Sequence, residues 1–367
     1  MSNQARCEKV LAKLEADCLL VSNPENRRYL SGFTGSTGLF LLSPTRRALV
    51  ADGRYWAQIE QECPDLELIK FRNEEFSSLF ACAAHHLAGD SGRLAYESRH
   101  LTVADSESLS KELPSGWTLT ACPALVEEVR QVKDAAELEV MRRAAQIADR
   151  ALRNALEHLQ AGVRERDFCL ELEFQMQKLG ARKPAFDSIV ASGINGAFPH
   201  AGVTERVIES KELLTLDFGC YFQGYNSDIT RTVWVGHLGP EEARIYTAVR
   251  EAQAQAVAAA RPGISCKELD AVARQSLAAQ GLAEYFTHGL GHGIGLCVHE
   301  LPGVRSVSEV VLQEGMVITI EPGVYIPGHT GCRVEDSVVI TASGCDKLTR
   351  SPYQEIGQTH PLEALGG

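Results

Sequence analysis

The sequence predicts an α/β (α+β) protein of two domains, the second built from two α-α-β-β halves in tandem. Three observations carry that prediction. At 367 residues the chain exceeds the roughly 250–300 residues at which single cores stop growing. Residues 1–126 alternate short helical and strand-like runs, the pattern of a small α/β domain. From residue 127 a pattern of helix, glycine, helix, glycine repeats, since Gly162 and Gly180 recur 101 residues later as Gly263 and Gly281, and Phe186 recurs after 100 as Phe286.

In the first domain, an amphipathic start at 7–14 leads into strand-like CLLVS at 18–22, a glycine-rich loop at 31–38, then GLFLLS and RRALVAD. The loop lacks the Lys-Ser/Thr ending of a phosphate-binding loop and reads as turn sequence. The polar stretch at 127–134 marks the boundary. Asp134 and Glu137 there have capping-box spacing, and Leu138, Met141, Ala145, Ala148, Leu152, Leu156 and Leu159 continue as one helix face as far as Gly162. The second half starts with a helix from Pro240, followed after Gly263 by another capped by Ser265 and Glu268.

Composition narrows the partners. The formal charge of −12 argues against nucleic acid and anionic membrane, which need a basic face. The start is polar and no apolar run approaches the ~18 residues of a membrane span, so a cytoplasmic location is expected. The 11 cysteines are scattered singly with no C-x-x-C pair. That argues against a cysteine zinc site or a disulfide framework and for reduced, small hydrophobes.

Residues 213–232, LLTLDFGCYFQGYNSDITRT, put Asp217 and Asp228 into the two runs of a hairpin that should be mostly buried. A carboxylate there costs several kcal/mol, or about that, unless a cation or a full hydrogen-bond set offsets it. The repeat predicts a second acidic hairpin about 100 residues on, and residues 316–341 supply one, with Glu321 104 residues after Asp217 and Glu335 107 after Asp228. Four carboxylates in one buried place would be balanced by two divalent cations, and a mainly oxygen donor set suits Mn²⁺, Co²⁺, Fe²⁺ or an open catalytic Zn²⁺. A histidine from the glycine-rich THGLGHGIGLCVHELPG, with His288, His292 and His299, would complete the set.

The motifs PAFDSIVASG, FPHAG, TLDFG, GYNSDITRT, HGLGHGIGL with VHELP, TIEPGVYIP and GCRVEDSVVIT resemble those of the Xaa-Pro peptidases, prolidase and aminopeptidase P, of the pita-bread metallopeptidase family. Methionine aminopeptidase and creatinase are more distantly similar. The resemblance implies a creatinase-like N-terminal domain over 1–126 and a pita-bread catalytic domain with pseudo-two-fold symmetry over 127–367. It implies two divalent metal ions, Mn²⁺ or Co²⁺ before Zn²⁺ or Fe²⁺, held by Asp217, Asp228, His292, Glu321 and Glu335. Asp217 and Glu335 would bridge the metals, Asp228 would chelate one, and water activated between them would be the nucleophile. His200 and His299 would hydrogen-bond the substrate and the developing oxyanion, Glu321 would also shuttle the proton, and Arg333 would orient carboxylates or substrate.

The resemblance implies hydrolysis of the bond between an N-terminal residue and proline, with proline-containing dipeptides or peptides as substrates, and a homodimer. His288 is expected to be structural or to support the ligands, Tyr225 to pack at the site, and the remaining histidines to lie on the surface. Prolidases commonly carry arginine after the proline of VHELP; here Gly303 stands there, with Arg305 two residues on. Either Arg305 takes over the dipeptide carboxylate, or longer peptides are accepted. The alternatives are a creatinase-like hydrolase working without metal and a non-enzymatic peptide-binding module.

Overall fold

In the computed structural model, which describes residues 1–365, the chain divides into two units, Met1–Arg130 and Gln131–Gly367. The first has helices α1 (Asn3–Leu11), α2 (Pro24–Ser31), α3 (Trp56–Glu62), α4 (Leu79–His85), α5 (Val103–Glu112) and α6 (Leu125–Arg130). Its sheet contains β1 (Cys18–Val21), β2 (Leu39–Ser43), β3 (Arg46–Ala51), β4 (Glu67–Lys70), β5 (Gly92–Glu97) and β6 (Trp117–Cys122), in the order β4-β3-β2-β1-β5-β6. The antiparallel meander β1-β2-β3 is extended by parallel strands at both ends. All of β1 is buried, as a strand covered on both faces must be.

Two details differ from the sequence reading. The glycine-rich loop follows a helix, α2, which Asn23 caps and which Gly32 ends in the left-handed region, φ +83°. The boundary stretch begins inside α6, whose Val126, Val129 and Arg130 are buried. Arg130 donates to Asn26 Oδ1 at 2.6 Å.

The second unit carries the repeat. In its first half, α7 (Ala135–Leu156) has the Asp134/Glu137 capping box and is followed by α8 (Glu165–Lys178). In the second, α9 (Pro240–Ala259) is followed by α10 (Cys266–Ala279), capped by Ser265 and Glu268. Gly180 and Gly281 lie two residues past α8 and α10, Gly162 and Gly263 lie in the turns that lead from α7 to α8 and from α9 to α10, and all four have φ between +70° and +112°, which explains why the glycine spacing exposes the duplication. Each half has its own core: Phe168, Leu172, Leu214, Leu216 and Ile229 belong to the first, and Ile245, Leu269, Ile318, Ile320 and Val338 to the second.

The strands are β7 (Lys183–Pro184), β8 (Ile189–Ser192), β9 (Leu214–Phe218), β10 (Cys220–Phe222), β11 (Tyr225–Asn226) and β12 (Ile229–Val233), then β13 (Gly291–Gly293), β14 (Glu300–Val304), β15 (Val317–Ile320), β16 (Gly323–Ile326), β17 (Thr330–Arg333), β18 (Asp336–Ile340) and β19 (Cys345–Lys347). Each predicted hairpin has two tiers. Outer pairs β9–β12 and β15–β18 lie in sheets ordered β12-β9-β8 and β14-β13-β15-β18-β19. Inner pairs β10–β11 and β16–β17 form separate small ribbons.

The start of β18 meets β12. Glu335 N–H donates to Thr230 O at 3.1 Å, Ser337 Oγ donates to Asp228 O at 2.8 Å, and buried Arg231 pairs with Asp336 at 2.8 Å. The two sheets therefore run side by side, with β8 on one flank of the seam and β14 on the other. Among the described residues no helix is long and apolar enough to cross a membrane, and all eleven cysteines are free thiols.

Candidate metal centre

At the seam, four strand ends converge and each carries a carboxylate. Asp217 is the fourth residue of β9, opposite Thr230 in the ladder, and Asp228 immediately precedes β12. Glu321 immediately follows β15, and Glu335 immediately precedes β18. Asp228 and Glu335 are buried, at 5% and 1% exposure, and Asp217 and Glu321 half-buried. One oxygen each from Asp217, Asp228 and Glu335 lie within 4.8 Å of one another.

His292 closes the cluster from β13, its Nε2 3.4 Å from Glu321 Oε1 and 3.7 Å from Asp228 Oδ2. Its Nδ1 lies 3.0 Å from the Gly293 carbonyl, which can only accept, so Nδ1 carries the proton and the Nε2 lone pair faces the carboxylates. The flanking glycines allow this approach: a Cβ on Gly291 would fall 2.1 Å from Thr319 O, and one on Gly293 2.2 Å from Leu301 O. Thr319 accepts from the His292 backbone N–H and donates to Glu321 Oε1, fixing the two together.

The electrostatics are those of buried carboxylates crowded together. Burial, then Asp217 and Glu321, push Asp228 well above the ordinary carboxylate range. Burial, then Asp228, Glu321 and Asp217, do the same to Glu335. Burial raises Glu321 to about 7, opposed by Arg333 and assisted by Asp217. Asp217 Oδ1 and Glu335 Oε1 are buried with no hydrogen-bond partner among the described residues. Such orphaned oxygens are costly unless something coordinates them. A hard oxygen set with one imidazole fits divalent cations.

Arg333, 3% exposed, ties the surroundings together. Its Nη2 donates to Asp217 Oδ2 at 2.5 Å, Nη1 to Tyr325 Oη at 2.6 Å and to Pro199 O at 3.2 Å, and Nε to Thr230 Oγ1 at 3.2 Å. Thr230 Oγ1 passes its own hydrogen to Glu335 Oε2 at 2.7 Å. Burial opposes this cation, but Tyr325, Asp217 and Glu321 hold it firmly protonated. His288 hydrogen-bonds Gly289 O through Nδ1, so its Nε2 accepts from the Tyr325 hydroxyl at 2.9 Å, and burial lowers its pKa to about 4.

His200 and His299 are exposed on the wall of a cavity of about 820 Å³ that opens over the cluster, and His288, Gly303 and Arg305 also line it. The His299 ring stands edge-on to His292 at 4.3 Å. Burial, with His292 and His200 nearby, keeps His299 neutral at neutral pH.

The structure thus brings Asp217, Asp228, His292, Glu321, Glu335, Arg333, His200 and His299 to one cavity. It corrects Tyr225, whose hydroxyl donates to Glu137 at the start of α7 instead of packing at the site. His86 and His360 are half-buried and bound to the Cys82 and Leu159 carbonyls, so the surface reading holds only for the other histidines without motifs. Tyr325, Thr230 and Thr319 escaped the sequence reading. The repeat could have marked Tyr325 and Thr319, which stand 104 residues after Tyr221 and Thr215.

Carboxylates and an imidazole at the ends of duplicated hairpins, behind an α/β N-terminal unit, define a metal-dependent hydrolase, and the comparisons agree. Residues 139–342 match metallopeptidase family M24, and residues 4–132 match the creatinase/prolidase N-terminal domain. The chain belongs to metallopeptidase family M24, whose chemistry uses divalent metal ions. It is 46% identical over 346 residues to an Xaa-Pro dipeptidase of Pyrococcus horikoshii, covering 94% of this chain and 95% of the relative. Among solved structures it is similar to an Xaa-Pro dipeptidase from Bacillus anthracis, with 36% identity and TM-score 0.91 over 97% of this chain and 99% of that one. It is also similar to an X-Pro aminopeptidase from Thermotoga maritima, with 33% identity and TM-score 0.85 over 95% and 99%.

Proposed function

We propose that this chain is an Xaa-Pro dipeptidase in which Asp217, Asp228, His292, Glu321 and Glu335 hold two divalent cations. The observation that carries the reading is the pair of orphaned buried oxygens, Asp217 Oδ1 and Glu335 Oε1, inside a carboxylate cluster of a chain related to Xaa-Pro dipeptidases along nearly its whole length. The cations, Mn²⁺ or Co²⁺ before Zn²⁺ or Fe²⁺, supply Lewis acidity for the scissile carbonyl and for water. That pedigree and donor set favour a metallopeptidase over a metal-free hydrolase or a binding module.

The protein's own groups do the rest. Glu321 carries the proton from the attacking water to the proline nitrogen as the bond breaks. His200 and His299, on the open wall, donate to the substrate and to the oxygen on which negative charge develops. Arg333 does not reach substrate in this reading; it is a positioning residue that fixes Asp217 directly and Glu335 through Thr230.

Arg305 takes the dipeptide carboxylate. Its Nε lies 3.5 Å from where a Cβ on Gly303 would sit, so the guanidinium occupies the space beside the glycine and lines the same cavity. The second reading, an aminopeptidase of the X-Pro type, is favoured by Gly303 itself, which leaves room past the proline. With Mn²⁺ or Co²⁺ restored, an Xaa-Pro dipeptide should be hydrolysed faster than Xaa-Pro-Yaa; the reverse order selects the aminopeptidase, and chelator-sensitive hydrolysis of neither defeats the peptidase reading. A cytoplasmic homodimer completes the proposal, and the mass in solution checks its assembly.

A further inference from the structure

The cavity carries unpaired charge on both flanks of the metal centre, and the signs are opposite. On the β14 flank stands Arg305, whose guanidinium makes no hydrogen bond or ion pair with a described residue. On the β8 flank stand Glu173, past the middle of α8, and Asp187, just ahead of β8. Glu173 is half-buried and its one side-chain partner is the Cys169 thiol at 3.8 Å. Asp187 is exposed and has no partner among the described residues. Between them Ser188, 5% exposed, lines the same wall with its Oγ unpartnered. Burial, then Glu173, push the Cys169 thiol up to about 12, with the Ser188 hydroxyl opposing the rise and Asp187 adding to it, which places these four side chains in one electrostatic neighbourhood and leaves the thiol as a donor to Glu173.

We propose that Cys169, Glu173, Asp187 and Ser188 form the subsite for the side chain of the residue before proline, and that this subsite selects a cation, lysine or arginine. The inference rests on the dipeptidase reading above. In that reading the scissile carbonyl sits over Asp217, Asp228 and Glu335, and the substrate carboxylate meets Arg305 on the β14 flank. The residue before proline must then extend toward the opposite flank, because β8 and β14 lie on either side of the seam. There it meets two carboxylates without cationic partners, beside the buried Ser188. A neutral aliphatic side chain would leave both carboxylates unpaired, and an acidic one would add a third like charge. A lysine ammonium or arginine guanidinium supplies the missing donors.

The test compares kcat/KM for Lys-Pro with that for norleucine-Pro, a chain of similar length without the charge, on the metal-loaded enzyme. Each partly exposed ion pair is worth about two- to fivefold, so the ratio should be roughly 4–25 at low ionic strength. It should fall toward one near 0.5 M salt, where the screening length is only about 4–5 Å. In the Glu173→Gln, Asp187→Asn double variant the ratio should approach one, and in Glu173→Lys it should shift toward Glu-Pro. A wild-type ratio near one, or a ratio that survives the double variant, overturns the proposal. Should the double variant fail to fold, the salt dependence of the wild-type ratio decides: an insensitive ratio overturns it. Failure to hydrolyse any Xaa-Pro dipeptide sinks the dipeptidase reading and this inference with it; hydrolysis without cation preference sinks this inference alone.

Discussion

The two halves of the second unit share one scaffold yet contribute different chemistry. Each has two packed helices, each followed by a left-handed glycine in the turn beyond it, its own core, and a two-tiered hairpin that presents one carboxylate from each outer strand. The inner tiers differ. β10 and β11 pair at two positions, whereas β16 and β17 pair at four. The longer ribbon of the second half delivers Tyr325 and Arg333 to the carboxylate cluster. Their counterparts by repeat spacing, Tyr221 and Asn226, go elsewhere. Tyr221 lies half-exposed with the Lys183 amine 5.5 Å from its ring, and Asn226 binds the Gly295 and Leu296 carbonyls. The paired hairpins supply a symmetric carboxylate cradle, and the longer of the two ribbons supplies the asymmetric cation that orients it.

If the cradle is symmetric in function, ligands from either half are equally indispensable. Asp228→Ala and Glu335→Ala should each lower kcat/KM by about 10³ or more, with metal analysis showing loss of bound ion in both. A large effect in one half alone would break the equivalence.

Metal removal probes the cradle as a whole. In the metal-free protein Asp228, Glu321 and Glu335 have pKa values raised above those of the unfolded chain, so the folded state binds more protons. The stability this gives is full below about pH 4.5 and is lost as pH rises through about 7. The Tm of chelator-treated protein should therefore fall between pH 5 and 8, and the gap to the metal-loaded protein should widen, because metal binding displaces those protons. A gap independent of pH would mean that the carboxylates do not bear the metal.

The inner ribbons give a smaller, sharper contrast. Tyr325→Phe removes the oxygen that accepts from Arg333 and donates to His288; kcat/KM should fall by roughly 10-fold or more, the scale for residues supporting metal ligands. Tyr221→Phe, at the matching position, should change it less than twofold, or about nothing measurable. Smallest of all, Gly162→Ala and Gly263→Ala meet no atom within 4 Å and suffer only from their φ of +99° and +87°, so each should lose about 1 kcal/mol, and by nearly equal amounts. Unequal losses in denaturant unfolding would argue against equivalent turns between the paired helices.

Much of this was legible in the sequence because the repeat is written in residues with few conformational substitutes. Left-handed glycines and buried carboxylates tolerate little variation, so their spacing registers the duplicated helices and both hairpins. Asp217, Asp228, His292, Glu321 and Glu335 all reach one cluster from positions that the hairpin reading and the family resemblance marked. What stayed hidden depends on distance across the fold. Tyr325 reads as an ordinary strand aromatic until β16 brings it beside Arg333. Tyr225 looks like part of the site by proximity in sequence, but β11 turns it toward Glu137. The boundary stretch reads as polar, yet one face of α6 is buried, which too few turns reveal by periodicity. The unpaired charge of Glu173, Asp187 and Arg305 becomes visible only when their potential partners are found elsewhere.

The proposed two-metal centre of the duplicated hairpins is probed by hydrolysis of an Xaa-Pro dipeptide before chelation, after it, and after readdition of Mn²⁺ or Co²⁺, with bound metal measured at each stage. Activity should disappear with the metal and return as about two equivalents per chain rebind. Undiminished hydrolysis by metal-free protein, or none by protein carrying its full metal complement, would contradict it.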